Sequence, residues 1–110
     1  MLRQRKPRQT DPGYLKWLRE QRCACGCFQP PPCDAAHLRA ASHKHAKPMT
    51  GMGTKPDDCW ALPLKHAHHM NQHQHGNELD WWLIRRVEDP FELCKQYYYR
   101  YQKLKQEGLL

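Results

Sequence analysis

The sequence has little of what membrane-spanning and secreted proteins need. Its mean hydropathy is −1.01, and it contains no run of about 18 apolar residues that could form a spanning helix. The N-terminal segment MLRQRKPRQ lacks the hydrophobic stretch of a secretory signal. We therefore expect a cytoplasmic protein with no membrane partner.

Acidic residues are also scarce. Eleven Asp and Glu stand against eighteen Lys and Arg, which gives a net charge of +7, and such an excess favours a polyanionic partner such as DNA or RNA. Residues 1–9 contain Arg3, Arg5, Lys6 and Arg8 without any acid, which predicts a flexible basic arm that lies along a phosphate backbone. A merely soluble basic surface would have the same composition, so the motifs have to separate the two interpretations.

A chain of 110 residues is sufficient for one domain, which we expect to span residues 10–110. Only two Phe are present, but four Trp and five Tyr supply apolar surface for a small core. In a reducing compartment the six Cys are expected to be thiols or zinc ligands rather than disulfides. Cys23, Cys25 and Cys27 fall within five residues, which supports that expectation.

Capping residues, prolines and hydrophobic periodicity predict two strands and four helices. The order is a helix from Thr10 or Asp11 to about Gln21, a strand over Cys33–Leu38, a polar flexible loop over Ser42–Pro56, a strand over Trp60–Leu64, a helix over His66–His75 stopped by Gly76, and helices that begin after Asn77 and Asp89. The predicted fold is α+β, with strand, strand and helix in sequence and helices on both flanks.

Histidines provide the strongest chemical signal. His69 and His73 are four residues apart, so a helix places both imidazoles on one face within reach of a single ion. His37 lies near the end of the first predicted strand, and a neutral imidazole is suited to accept a proton from water near neutral pH. A base and a metal together predict a hydrolytic site.

Taken in order, these residues resemble the HNH endonucleases, also called His-Me finger or ββα-metal nucleases, and within them small phage and prophage proteins similar to the RecA-dependent phage nuclease. The resemblance covers roughly residues 14–100. It rests on Cys25-Gly26, Asp34-Ala35-Ala36-His37-Leu38-Arg39, Gly51-Met52-Gly53-Thr54-Lys55-Pro56-Asp57-Asp58, Ala61-Leu62-Pro63-Leu64, His68-His69 and Gln72-His73.

The resemblance implies a ββα-metal core in which His37 is the general base and His69 and His73 hold one catalytic divalent ion, Mg²⁺, Mn²⁺ or Zn²⁺. Asp34 is a further candidate metal ligand. The sequence departs from the family at Ala36, where many relatives carry another ligand, and at Trp60, where many carry the asparagine that orients the base. Asp34 or Asp58 is expected to compensate. Arg39 and Lys55, with the basic arm, are the expected phosphate contacts.

Relatives usually also carry a structural zinc, held by Cys-x-x-Cys and Cys-x-x-His. Here Arg22 and Lys65 occupy two of those positions. A shift of one residue predicts a structural Zn²⁺ at Cys23, Cys25, His66 and His68, with Cys27, Cys33 and Cys59 in reserve. A knuckle that binds no zinc is the alternative.

The predicted function is hydrolysis of DNA phosphodiester bonds by a metal-dependent endonuclease of phage or prophage origin, acting in the cytoplasm of a bacterial host. The alternative is a noncatalytic zinc knuckle that binds DNA or a phage protein. RNA is not excluded as the substrate, because phosphate contacts do not distinguish the two polymers. A recombination protein is a candidate partner.

Overall fold

Two short antiparallel strands and four α-helices make up the part of the chain that the computed structural model describes, residues 7–50 and 55–110. The elements in order are α1 (Pro12–Arg19), β1 (Asp34–His37), β2 (Ala61–Leu64), α2 (His66–His75), α3 (Glu78–Ile84) and α4 (Pro90–Gln106). The predicted α+β class is confirmed, and so is the order of strand, strand and helix.

Helix boundaries follow local signals in the sequence. Asp11, Asn77 and Asp89 each cap a helix by accepting a hydrogen bond from a backbone amide three residues later. Gly76 ends α2 in the left-handed conformation, with φ of 84°, where a residue without a Cβ is favoured. These signals act within one turn of helix, so the sequence alone was enough to predict them.

The sheet brings the end of the first strand next to the start of the second. Asp34 pairs with Leu64, and His37 pairs with Ala61. A 3₁₀ turn over Asp58–Trp60 precedes β2, so the second strand begins one residue later than predicted. Because α2 starts two residues after β2 ends, its histidines lie beside β1.

The main core lies between the sheet, α3 and α4, where Leu62, Leu64, Trp81, Trp82 and Cys94 are almost fully buried. A second cluster joins α1 to α4 through aromatic side chains; it includes Tyr14, Trp17 and Tyr101. Large aromatic rings therefore supply the buried area that the thin aliphatic content does not. No described helix has the length and apolar character needed to cross a bilayer.

Two segments that were expected to be flexible are partly fixed. Gln9 accepts a backbone hydrogen bond from Asp58, and the Arg8 Nε atom donates to the Pro56 carbonyl at 2.9 Å, so the predicted arm does not include these two residues. In the 42–56 loop, Ser42 and Lys47 form an antiparallel bridge. Arg3, Arg5 and Lys6, and the Gly51-Met52-Gly53-Thr54 part of the loop, lie outside the described residues.

Lys47 is a basic residue of that loop whose side chain is held by the fold. Its ammonium group is buried and donates to the carbonyl oxygens of Arg39 and Pro48 at 3.3 and 3.4 Å. Burial lowers the pKa of Lys47. Lys44 is exposed and lies 3.2 Å from Asp89. Of these two lysines, only Lys44 is on a surface that a phosphate can reach.

Candidate metal centre and hydrolytic cleft

Three cysteines and one histidine converge at the turn that follows α1. The turn is held by a hydrogen bond from the Cys23 amide to the Gln29 carbonyl at 3.0 Å, and Gly26 has a positive φ of 97° that allows the chain to reverse there. The Ala24 amide donates to the Pro63 carbonyl at 2.8 Å, which attaches the turn to β2. His68 reaches the same point from the first turn of α2.

The ligand atoms of Cys23, Cys25, Cys27 and His68 all lie within 4.8 Å of one another. The Sγ atoms of Cys23 and Cys25 are 3.4 Å apart, and His68 Nδ1 is 3.5, 3.3 and 3.7 Å from the three sulfurs in chain order. Tetrahedral zinc, with bonds of about 2.3 Å to sulfur and 2.0 Å to nitrogen, needs ligand separations of about 3.6–3.8 Å. The four separations measured above match these values to a few tenths of an ångström, and the two that join Cys27 to the other sulfurs are at most 4.8 Å.

The chemistry of these donors favours zinc, since three thiolates and one imidazole are a common structural zinc set. Burial raises the pKa of Cys25 to about 12, so without an ion its thiol is protonated at neutral pH. The exposed Cys27 differs: hydrogen bonds from the Gln29 amide and from the other two thiols outweigh the effect of burial and lower its pKa. The Lys65 amide donates to Cys23 Sγ at 3.3 Å, which fixes the position of this sulfur beside the start of α2.

The predicted zinc set differs from this cluster in one member, because Cys27 stands where His66 was expected. His66 lies on another side of α2, with its Nδ1 atom 2.8 Å from Asp34 and an exposed side chain. Residues two apart on a helix are rotated by about 200°, so His66 and His68 cannot both face the turn. Cys33 and Cys59, also held in reserve, are not members of the cluster.

The predicted base, His37, is oriented by a carboxylate. Its Nε2 atom lies 2.8 Å from Asp58 Oδ1, and no described residue forms a hydrogen bond with Nδ1. In a neutral imidazole, a carboxylate partner favours the tautomer in which Nε2 carries the proton and Nδ1 has the lone pair. Of the two carboxylates expected to replace the missing asparagine, Asp34 and Asp58, it is Asp58 that contacts the base. Trp60, at the position of the family's asparagine, instead packs against Phe91.

Asp58 is itself held by the N-terminal segment. Its Oδ1 atom accepts from Arg8 at 2.5 Å, and its Oδ2 atom accepts from the Asp11 backbone amide at 2.7 Å. Burial opposes ionisation of this carboxyl, but the hydrogen bonds from Asp11 and His37 and the charge of Arg8 outweigh burial and lower its pKa. Arg8, predicted as a phosphate contact, therefore has a carboxylate partner inside the fold.

His69 and His73 converge as a pair. Their Nε2 atoms are 3.1 Å apart, and two nitrogens at about 2.1 Å from one ion are separated by about 3.0–3.4 Å. Asp34 contacts the opposite nitrogen of His69, with Oδ2 3.0 Å from Nδ1. An ion held with His73 would bind the Nε2 atom of His69, whereas Asp34 lies on the Nδ1 side of the same ring. Asp34 therefore supports His69 from behind and is not a third ligand.

A cleft of about 340 Å³ lies between His37 and His73, one member of this pair. Its lining includes His37, Arg39, His73 and Glu78. Glu78, at the start of α3, accepts backbone hydrogen bonds from Arg39 at 3.0 Å and Ala40 at 3.0 Å, which fixes the chain just after β1. Arg39 thus lies on the wall of the cleft. Lys55 is exposed beside the loop residues that the structure does not describe.

Sequence reasoning missed Glu78 and placed Cys27 only in reserve. Nothing in the sequence marked Glu78 apart from its position in the first turn of a helix. Cys27 could have been predicted, because His66 and His68 are rotated by about 200° from each other and cannot both be ligands. The fourth ligand then has to be a third cysteine. No protein-family model, curated protein or solved structure matches the chain.

Proposed function

We propose that the protein is a metal-dependent endonuclease of the HNH type that hydrolyses DNA phosphodiester bonds in the cleft between β1 and α2. The observation that carries the proposal is the orientation of His37, whose Nε2 atom is engaged by Asp58 while its ring lines the same cleft as His73. A base with one nitrogen fixed and the other available is what activation of water requires.

The chemical steps follow from the residues that line the cleft. His37 Nδ1 removes a proton from water, and the resulting hydroxide forms a bond to phosphorus while the bond to the 3′-oxygen breaks. Asp58 stabilises the imidazolium that forms, since its carboxylate is ionised and 2.8 Å away. The departing 3′-oxygen takes a proton from solvent, and Arg39 holds the phosphate.

His69 and His73 are the residues that would hold the catalytic ion, with Asp34 fixing the His69 tautomer from behind. Two imidazoles favour Zn²⁺ over Mg²⁺, which prefers oxygen ligands. A bound divalent ion would supply positive charge for the phosphorane-like transition state and for the leaving oxygen.

The test is cleavage of single-stranded and duplex DNA, with RNA alongside, in the presence of Zn²⁺, Mn²⁺ or Mg²⁺. His37→Ala should lower the rate of DNA cleavage by about 10²–10⁴-fold while DNA binding is retained. His43→Ala is the matched control, because His43 is exposed and lies outside the cleft. Loss of binding and cleavage together in His37→Ala, or cleavage unchanged, would contradict the proposal.

A noncatalytic zinc knuckle is the second candidate. It is favoured by the Cys3His cluster, which is the one group of three or more closely placed metal donors among the described residues. In that case the purified zinc-loaded protein binds DNA or a phage protein but cleaves no nucleic acid with any of the three metals. If the protein cleaved RNA but not DNA, the proposed substrate would be wrong, whereas the role of His37 as the base would be retained.

A further inference from the structure

The solvent-facing side of α4 carries a basic and aromatic surface that the proposed chemistry does not use. Phe91, Cys94 and Tyr101 face the core, whereas Lys95, Tyr99, Arg100 and Lys103 are exposed. With 100° of rotation per residue, these four lie within one side of the helix, over an axial length of about 12 Å. We call this set the α4 surface.

The cations of the α4 surface form no ion pair within the described fold. No acid occurs between Glu92 and Glu107. Carboxylates elsewhere contact nearby side chains, as Asp58 contacts Arg8 and Asp89 contacts Lys44. None of the ion pairs in the described part of the chain involves the three cations of the α4 surface.

Tyr99 adds a feature that simple solubility does not need. Its side chain is 62 % exposed, the largest exposure of any aromatic residue on α4, and the Lys103 ammonium group lies 5.8 Å from the centre of its ring. Arg100 lies 5.0 Å from the ring of Tyr97. An exposed ring flanked by cations is the arrangement on which an unpaired base stacks while its phosphates meet the charges.

We propose that the α4 surface binds single-stranded DNA, with Tyr99 as the stacking platform and Lys95, Arg100 and Lys103 as phosphate contacts. Charge complementarity selects a polyanion, and the exposed ring selects a single strand, because the faces of paired bases are stacked inside a duplex. The inference shares its DNA partner with the proposed function, but it does not depend on hydrolysis.

The test uses zinc-loaded protein that carries His37→Ala, so that bound DNA is not consumed, and a fluorescent oligothymidine of about 20 nucleotides. Arg100→Gln with Lys103→Gln should reduce the slope of log affinity against log salt by about 1.4, the value for two phosphate contacts on a single strand. The matched control is Lys16→Gln with Arg19→Gln, which removes the same charge at the same spacing from the exposed side of α1. This control should change the slope by much less.

Stacking is tested separately from charge. Tyr99→Leu should weaken oligothymidine binding by about fivefold or more, whereas Tyr99→Phe should bind as the parent does, because the ring is retained. The proposal would be overturned if the double substitutions on α1 and α4 changed the salt slope equally. It would also be overturned if Tyr99→Leu bound oligothymidine as tightly as the parent protein. Binding of oligouridine or anionic vesicles, but not of oligothymidine, through the same residues would overturn it as well.

The outcome is distinguishable from that of the proposed function. If the unsubstituted protein cleaves nothing but the α4 substitutions still weaken oligothymidine binding, the hydrolytic assignment fails and the α4 surface stands. If cleavage depends on His37 but the α4 substitutions have no effect on oligothymidine binding, the α4 surface fails and the hydrolytic assignment stands.

Discussion

Replacing His68 with alanine should remove zinc from the protein, whereas replacing His66 should not. The two residues are two positions apart on the same helix and have the same side chain, so they form a matched pair. His68 Nδ1 lies 3.3–3.7 Å from three cysteine sulfurs, while His66 Nδ1 contacts Asp34 at 2.8 Å. The structure thus separates a ligand from a neighbour with no part in the cluster.

The expected effect on stability is large. Structural zinc binds small domains with an apparent ~10–16 kcal/mol, which corresponds to a Kd of about 5 × 10⁻⁸ to 2 × 10⁻¹² M. At about 1 µM free zinc, linkage then stabilises the folded state by about 2–8 kcal/mol. A domain of this size has a total stability of about 5–15 kcal/mol, and each kcal/mol shifts its Tm by about 4 °C. Loss of the ion should lower the Tm by at least about 8 °C.

Elemental analysis after gel filtration, with thermal melts in the presence and absence of a strong chelator, measures both quantities. The parent protein and His66→Ala should carry zinc in the cluster and lose stability on chelation. His68→Ala should carry one zinc fewer, and its Tm should respond to the chelator much less than the Tm of the parent protein. Loss of zinc from His66→Ala with retention in His68→Ala, or a parent Tm that does not respond to chelation, would refute the assignment.

Three further outcomes are expected. Asp58→Asn should slow DNA cleavage by about 10- to 100-fold while binding is unchanged, since an amide does not stabilise the imidazolium of His37; an unchanged rate in single-turnover kinetics would contradict this. Deleting residues 1–6 should lower the salt dependence of DNA affinity measured between ~50 and ~200 mM, and a truncated protein with the full slope would remove the arm from the interface. The hydrogen bonds from His45, the Glu92 amide and Lys44 outweigh burial and lower the pKa of Asp89 to about 2; because a depressed carboxyl pKa stabilises the fold above its unfolded value, that stabilisation is lost between about pH 4 and 2. Asp89→Asn, which keeps the helix cap, should flatten urea stability across this window, and an identical pH profile would exclude the contribution.

Interactions between neighbours in the chain were accessible from the sequence. The caps at Asp11, Asn77 and Asp89 and the left-handed stop at Gly76 each depend on residues within one helical turn. The i, i+4 spacing of His69 and His73 is also local, and the two rings do converge. A fixed helical geometry converts such spacings directly into distances.

Roles that depend on contacts between distant segments were not accessible in the same way. Asp58 is 21 residues from His37 and 50 from Arg8, and the three meet only because Asp58 lies in the turn before β2 and His37 ends β1. Helical geometry alone excludes a set with both His66 and His68, but which of the two joins the cysteines depends on the rotation of α2 relative to the cysteine turn. Composition, spacing and capping thus led to the class of fold and to the histidines, because those depend on periodic local geometry. The partner of each side chain depended on how the strands, α2 and the N-terminal segment pack, since packing alone brings such distant residues within a few ångströms.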